Sequence, residues 1–187
     1  ASDVYKRQKQ ACAAVGQAKL MMVYQKLFAE YNQTAGQVLM TKNTMVNPVS
    51  RENAKNTFDE LFHLRVIPVV NENDTVAIDE LELEGGENDS LAANVATIAN
   101  ADLLVIMSDI DGLYDKDPHV HENANLIPEV GEITDDIRSL AGGAGSALGT
   151  GGMATKIKAV EIAHAADIDV VPVSYTHLRA HETDSYL

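Results

Sequence analysis

The stretch DLLVIMSDIDG, residues 102–112, decides the fold. Its first seven residues form a nearly continuous apolar run, and the run ends in the turn Asp109-Ile110-Asp111-Gly112. A short apolar run without alternation reads as a strand buried on both faces, as in helix-covered parallel sheets. Working outward, SLAANVATIANA (90–101) reads as a helix, with Asp89 or Ser90 as its cap. VIPVV (66–70), GQVLMT (36–41) and IDVVPV (168–173) are further buried strands. VIPVV stops at Asn71-Glu72-Asn73-Asp74. LIPEV (126–130) reads as a short edge strand, and ITDDIRSLA (133–141) as a short helix capped by Thr134.

Upstream, Asn47-Pro48 opens a helix that places Phe58, Leu61 and Phe62 inward. Lys9 to Glu30 form a helix whose apolar face carries Val15, Leu20, Val23, Leu27 and Phe28, whereas residues 1–8 show no period. Helices alternating with apolar strands make an α/β domain, with a mostly parallel sheet and helices on both faces. No repeat or linker divides it. Ligands in such sheets bind beyond the carboxyl ends of the strands. The polar clusters after residues 70 and 108 stand there.

Composition narrows the partners. A chain of 187 residues, 45% hydrophobic and without tryptophan, can bury one aliphatic core. Its net charge of −14 argues against nucleic acid and against an anionic membrane. An anionic ligand would be met by local donors and a metal ion. The single cysteine, Cys12, allows no disulfide within the chain and suits a reducing compartment. No apolar run reaches membrane-spanning length, so a soluble, cytoplasmic protein is expected. Met21, Met22, Met40 and Met107 are read as gap fillers in the core.

Four constellations carry chemistry. AGGAGSALGTGGMATK (141–156) brings six glycines to the start of a helix, with Lys156 in its first turn. Bare backbone N–H groups, the helix dipole and a lysine suit a phosphate, and a surface loop ahead of an ordinary helix fits equally well. Asn71-Glu72-Asn73-Asp74 offers amides and carboxylates together, which suits a small zwitterion, or else a plain turn. Asp89, beside Asn88, either caps its helix or orients a cation. Ser108-Asp109 at a strand end can touch a nucleotide; the SDIDG sequence lacks the closing glutamate of a calcium loop. His119 and His121 have no third ligand in view for a metal.

VIPVVNENDTVA, GENDSLAANVATIANADLLVIMSDIDGLYDKDP and AGGAGSALGTGGMATKIKAVEIA together resemble the glutamate 5-kinases, of the amino-acid kinase family. The resemblance implies a three-layer αβα sandwich. It also implies transfer of the γ-phosphoryl group of ATP, with Mg²⁺, to the side-chain carboxylate of L-glutamate, the first step of proline synthesis. Position by position, it implies that Asp74 and Asn88 hold glutamate, with Asn71 and Asn73 nearby. Asp89 would organise the catalytic groups. Ser108 and Asp109 would contact ATP. Thr150, Gly151, Gly152, Met153, Ala154, Thr155 and Lys156 would form a second ATP-binding segment, with Lys156 on the phosphates. A homodimer or homotetramer is implied as well.

The resemblance further implies an opening strand with a lysine-x-glycine loop and a second strand ending in a serine-glycine-alanine loop. Neither is found in the sequence. The expectation is therefore a kinase domain over 9–174, truncated at its N-terminus and inactive as written. Residues 1–8 and 175–187 are expected to be non-native segments. The alternatives are a kinase acting on uridylate, acetylglutamate, aspartate or carbamate, and a non-catalytic nucleotide-binding subunit.

Overall fold

Four buried strands were read from the sequence, and all four pair in parallel. The structure is a computed structural model that describes residues 2–76, 87–116, 121–141 and 150–176. The glycines at 142–149 and His119 lie outside the described residues. The chain divides into two compact units, Ala1–Leu83 and Glu84–Leu187, and the division falls in the acidic stretch. Each unit has its own two-stranded parallel sheet.

The first unit runs α1 (Ser2–Glu30), β1 (Thr34–Met40), α2 (Lys42–Val46), α3 (Pro48–His63) and β2 (Val66–Glu72). α3 starts as expected: Asn47 caps it, its Oδ1 accepting from the Ser50 backbone N–H at 3.0 Å, and Pro48 fills the first turn. α3 buries Phe58, and Met21, Ala35 and Met40 are also buried in this unit. Gly36 in β1 has a packing reason. A Cβ there would come within 3.0 Å of Val66 Cγ1 and 3.3 Å of Leu61 Cδ2, so glycine lets side chains of β2 and α3 close over β1.

The sequence reading is corrected at several points in this unit. Residues 2–8, read without a period, are the first turns of α1. Val15, Leu20, Val23 and Leu27 of α1 are exposed, whereas Met21 of the same helix is buried. Cys12 is helical but exposed. Phe62 is exposed too, and stacks on Phe58 with ring centroids 6.3 Å apart. β2 does not stop at Val70. Asn71 and Glu72 remain in the ladder opposite Leu39 and Met40, since parallel pairing outweighs their weak strand propensity. α2 was not expected, because five residues are too few to show a period.

The second unit runs α4 (Glu87–Ile98), β3 (Leu103–Ser108), α5 (Asp135–Ala141), α6 (Thr150–His164) and β4 (Asp169–Ser174). Its core joins Ala93 and Ala96 of α4, Ile106 of β3, Ala159 and Ala163 of α6, and Ile168. Leu104 and Val170 pack against this core, whereas Leu103, Val105, Met107 and Val171 are exposed. Among the described residues of this unit, the helices therefore cover one face of the β3–β4 sheet rather than both. Met107, like Met22 of α1, is exposed rather than a core filler. Leu126 makes an isolated antiparallel bridge with Tyr114 instead of an edge strand, since Pro128 cannot donate to a longer ladder. Thr134 caps α5 as expected, its Oγ1 accepting from Ile137 N–H at 3.4 Å.

Each helix that hands over to a strand ends in a left-handed residue: Asn32 (φ 54°), Arg65 (φ 56°), Asn100 (φ 50°) and Asp167 (φ 62°). After α1, α4 and α6 the chain then folds back. Gln33 N–H donates to Phe28 O, Ala101 to Ala96 O and Ile168 to Ala163 O, at 2.9–3.1 Å. These bonds satisfy helix-end carbonyls and turn the chain towards the sheet.

Candidate functional site

The contact between α4 and α6 is built from alanine. Ala93, Ala159 and Ala163 have no exposed surface. Side chains this small let two helices approach closely. Asp89 precedes Ala93 by one helical repeat, and Thr155 precedes Ala159 by the same interval, so both fall on the shared seam. There Asp89 Oδ2 accepts from Thr155 Oγ1 and from Lys156 Nζ, each at 3.2 Å. The lysine and aspartate side chains are 18% and 22% exposed, so the pair is shielded yet reachable. An ion pair of this kind holds an ammonium in a fixed place.

Asp89 is thus no cap. α4 begins at Glu87, which puts Asp89 and Ser90 inside the first turn and frees the carboxylate to turn towards α6. Lys156 is not in the first turn of α6 either. The helix begins at Thr150 and includes Gly151 and Gly152, so Lys156 stands in the second turn. Ser108 ends β3 beside Ser174 of β4, both buried, and Ser108 Oγ donates to Asp109 Oδ1 at 3.0 Å. Sequence reading missed Ser174. Its register opposite Ser108 at the carboxyl end of the sheet becomes visible only once the strands pair.

A separate cleft lies within the first unit. It has a volume of about 200 Å³ and is lined by Gly16, Gln17 and Leu20 of α1 together with Asn71, Asn73 and Asp74. Asn71 Nδ2 donates to Gln17 Oε1 at 3.0 Å, and Asn73 Oδ1 accepts from Thr75 Oγ1 at 2.5 Å. Three of the four residues expected to hold a zwitterion therefore line one concave site. Asn88, the fourth, is exposed in the first turn of α4 in the other unit. The α1 residues were missed, because a Gly-Gln pair in a helix carries no motif of its own.

The sequence pattern described as the amino acid kinase family matches residues 1–172. The chain belongs to the amino acid kinase family. Curated proteins named glutamate 5-kinase are similar to it. One from Clostridium tetani is 54% identical over 167 residues, covering 89% of this chain and 62% of that protein. One from Clostridium perfringens is 50% identical over 167 residues, covering 88% and 62%. One from Carboxydothermus hydrogenoformans is 54% identical over 164 residues, covering 88% and 44%. The chain thus spans less than two thirds of each of these relatives. Membership accounts for the α/β class and the parallel strand pairs. The family match also includes residues 1–8, which are helical from Ser2.

Among the described residues, no group of three or more His, Cys, Asp or Glu is placed to hold a metal ion. Likewise, no described helix is long and apolar enough to cross a membrane.

Proposed function

We propose that this chain carries the glutamate and ATP sites of a glutamate 5-kinase, a transferase that phosphorylates the side-chain carboxylate of L-glutamate at the start of proline synthesis. The observation that carries this reading is the Asp89–Thr155–Lys156 cluster. It supplies a positioned ammonium in the second turn of a helix that opens on Thr150-Gly151-Gly152, in a chain about half identical to proteins of that name. Phosphoryl transfer asks the protein mainly for positioning and charge stabilisation. A carboxylate attacking a phosphate brings two anions together, and Lys156, aimed by Asp89, offsets that repulsion.

Ser108, Asp109 and Thr150–Lys156 would bind the nucleotide. Asp74 would take the ammonium of glutamate, and the amides of Asn71, Asn73 and Asn88 its carboxylates. With Asp89 already engaged by two donors, the donor set fits Mg²⁺ carried on the phosphates of ATP, the usual habit of that ion. Bound there, it would neutralise charge on the transferring group. A cytoplasmic homo-oligomer, acting on glutamate and ATP without nucleic acid or membrane, completes the proposal.

Binding can be read in the 187-residue chain. L-Glutamate should shift the amide resonances of Asn71, Asn73, Asp74 and Asn88, and MgADP those of Ser108, Asp109 and residues 150–156. Turnover should appear as glutamate-dependent ADP release from the whole protein. Release driven by uridylate, acetylglutamate, aspartate or carbamate, and not by glutamate, would reassign the acceptor.

A further inference from the structure

The direction of a run of amide hydrogen bonds is set by any member that can only donate. The backbone N–H of Glu72 is such a group, and it donates to Asn71 Oδ1 at 2.9 Å. Asn71 must then turn its Nδ2 the other way, where it donates to Gln17 Oε1 at 3.0 Å. Gln17 Nε2 in turn donates to Gln37 Oε1 at 3.3 Å. One backbone donor in β2 thereby fixes two side-chain amides and ties β2 to α1 and β1. Each side-chain NH₂ has two hydrogens, so Asn71 and Gln17 keep one apiece after these bonds are made.

Both residues line the cleft, together with Asn73, Asp74 and Glu72. Among the described lining residues none is Lys, Arg or His. A ligand carboxylate entering here meets neutral amide N–H groups, and its ammonium meets Asp74. Gly16 lines the same cleft, and a Cβ added there would find nothing within 4 Å. Glycine inside a helix is less stable than alanine. Open space at that position is therefore maintained against the helix's own preference.

We propose that α1 is the selecting wall of the amino-acid pocket, with Gln17 as the positioning residue that aims the Asn71 amide at a bound carboxylate and Gly16 as the gap that admits the ligand. This rests on the glutamate reading of the cleft. Sequence motifs pointed only to the Asn71–Asp74 loop, so the pocket gains a second side whose residues act through geometry rather than charge.

The test is isothermal titration of the 187-residue chain with L-glutamate and L-aspartate, alongside a thermal melt of each variant. Gln17→Met keeps the length of the side chain and removes its amide. It should weaken glutamate binding about tenfold, the effect of losing one positioned hydrogen bond, with the melting temperature of the free protein unchanged. Gln17→Glu keeps an acceptor for Asn71 but turns the remaining donor into a carboxylate, and it too should lose affinity. Gly16→Leu should fold, because a Cβ there meets nothing within 4 Å and leucine favours a helix more than glycine does, and it should weaken glutamate more than the shorter aspartate.

Wild-type affinity in Gln17→Met would overturn the positioning role. Were Gln17→Met to lower the melting temperature as well, the Asn71 side-chain amide resonances decide: a glutamate-induced shift seen in wild type and lost in Gln17→Met upholds the role, and one retained overturns it. Undiminished glutamate binding by Gly16→Leu would overturn the gap. A wild-type chain that binds no glutamate overturns the glutamate reading and this inference together, and is recognisable because the variants are then never at issue.

Discussion

Asp89 holds two donors on one carboxylate oxygen, and its position follows from an alanine four residues on rather than from any motif around it. Asp89→Asn keeps the shape but lets go of the charge that holds the Lys156 ammonium. On the function proposed above, this should lower kcat about 100- to 1,000-fold, the usual effect of losing one preorganised electrostatic group, measured by glutamate-dependent ADP release.

A second residue sets an acid limit. Asn125 donates to both carboxylate oxygens of Asp115, from Nδ2 at 3.0 Å and from its backbone N–H at 2.8 Å. The side-chain bond first, and the backbone bond second, hold the Asp115 carboxyl below its ordinary 3.8. A carboxyl depressed in the folded state adds stability above 3.8 that is lost as pH falls through the lower folded value. Asp115→Asn should therefore lower the denaturation midpoint at neutral pH, with the difference from wild type closing on acidification through that window. At this scale the sequence was legible where a residue's own chemistry fixes its role, as with Asn47 and Thr134. It was not legible for Gln17, whose role depends on three amides brought together from α1, β1 and β2.

Among the elements, the helix endings and the α4–α6 seam carry the most testable physics. Arg65 sits at φ 56°, where a Cβ crowds the backbone, and the three other left-handed helix ends use Asn or Asp. Arg65→Gly should raise stability by about 1 kcal/mol, read as a higher denaturation midpoint. The seam predicts the opposite sign. Ala159 has no exposed surface against α4, so Ala159→Leu should cost about 1–3 kcal/mol, seen as a lower midpoint. It should also separate Thr155 and Lys156 from Asp89 and so weaken nucleotide binding. Strands were the most legible elements, since a short apolar run bounded by turn residues marks a strand even where, as in β3, alternate side chains are exposed. The boundaries of α4 and α6 were misread, because Asp89 has the chemistry of a cap and Gly151-Gly152 that of a loop. Packing along the alanine seam overrode both preferences.

At the scale of the whole molecule, a net charge of −14 sets a background against which each local site works. Self-repulsion of that size opposes compaction, and salt screens it over about 10 Å at 0.1 M ionic strength. The melting temperature should therefore rise as inert salt is added from a low-salt buffer. A fall would mean that attractive pairs such as Lys156–Asp89 and Arg138–Glu161 outweigh the repulsion. The sequence by itself determined the α/β class, the four parallel-type strands, the polar residues at their carboxyl ends and the family. All of these rest on local composition and order along the chain, which a linear reading sees directly. Tertiary structure alone decided that Asp89 faces Lys156 rather than its own helix start, that Ser174 stands beside Ser108, and that Gly16 and Gln17 wall a cleft. Those are contacts between residues far apart in sequence, made by close packing of alanines and by strand register, and neither leaves a mark at the positions concerned.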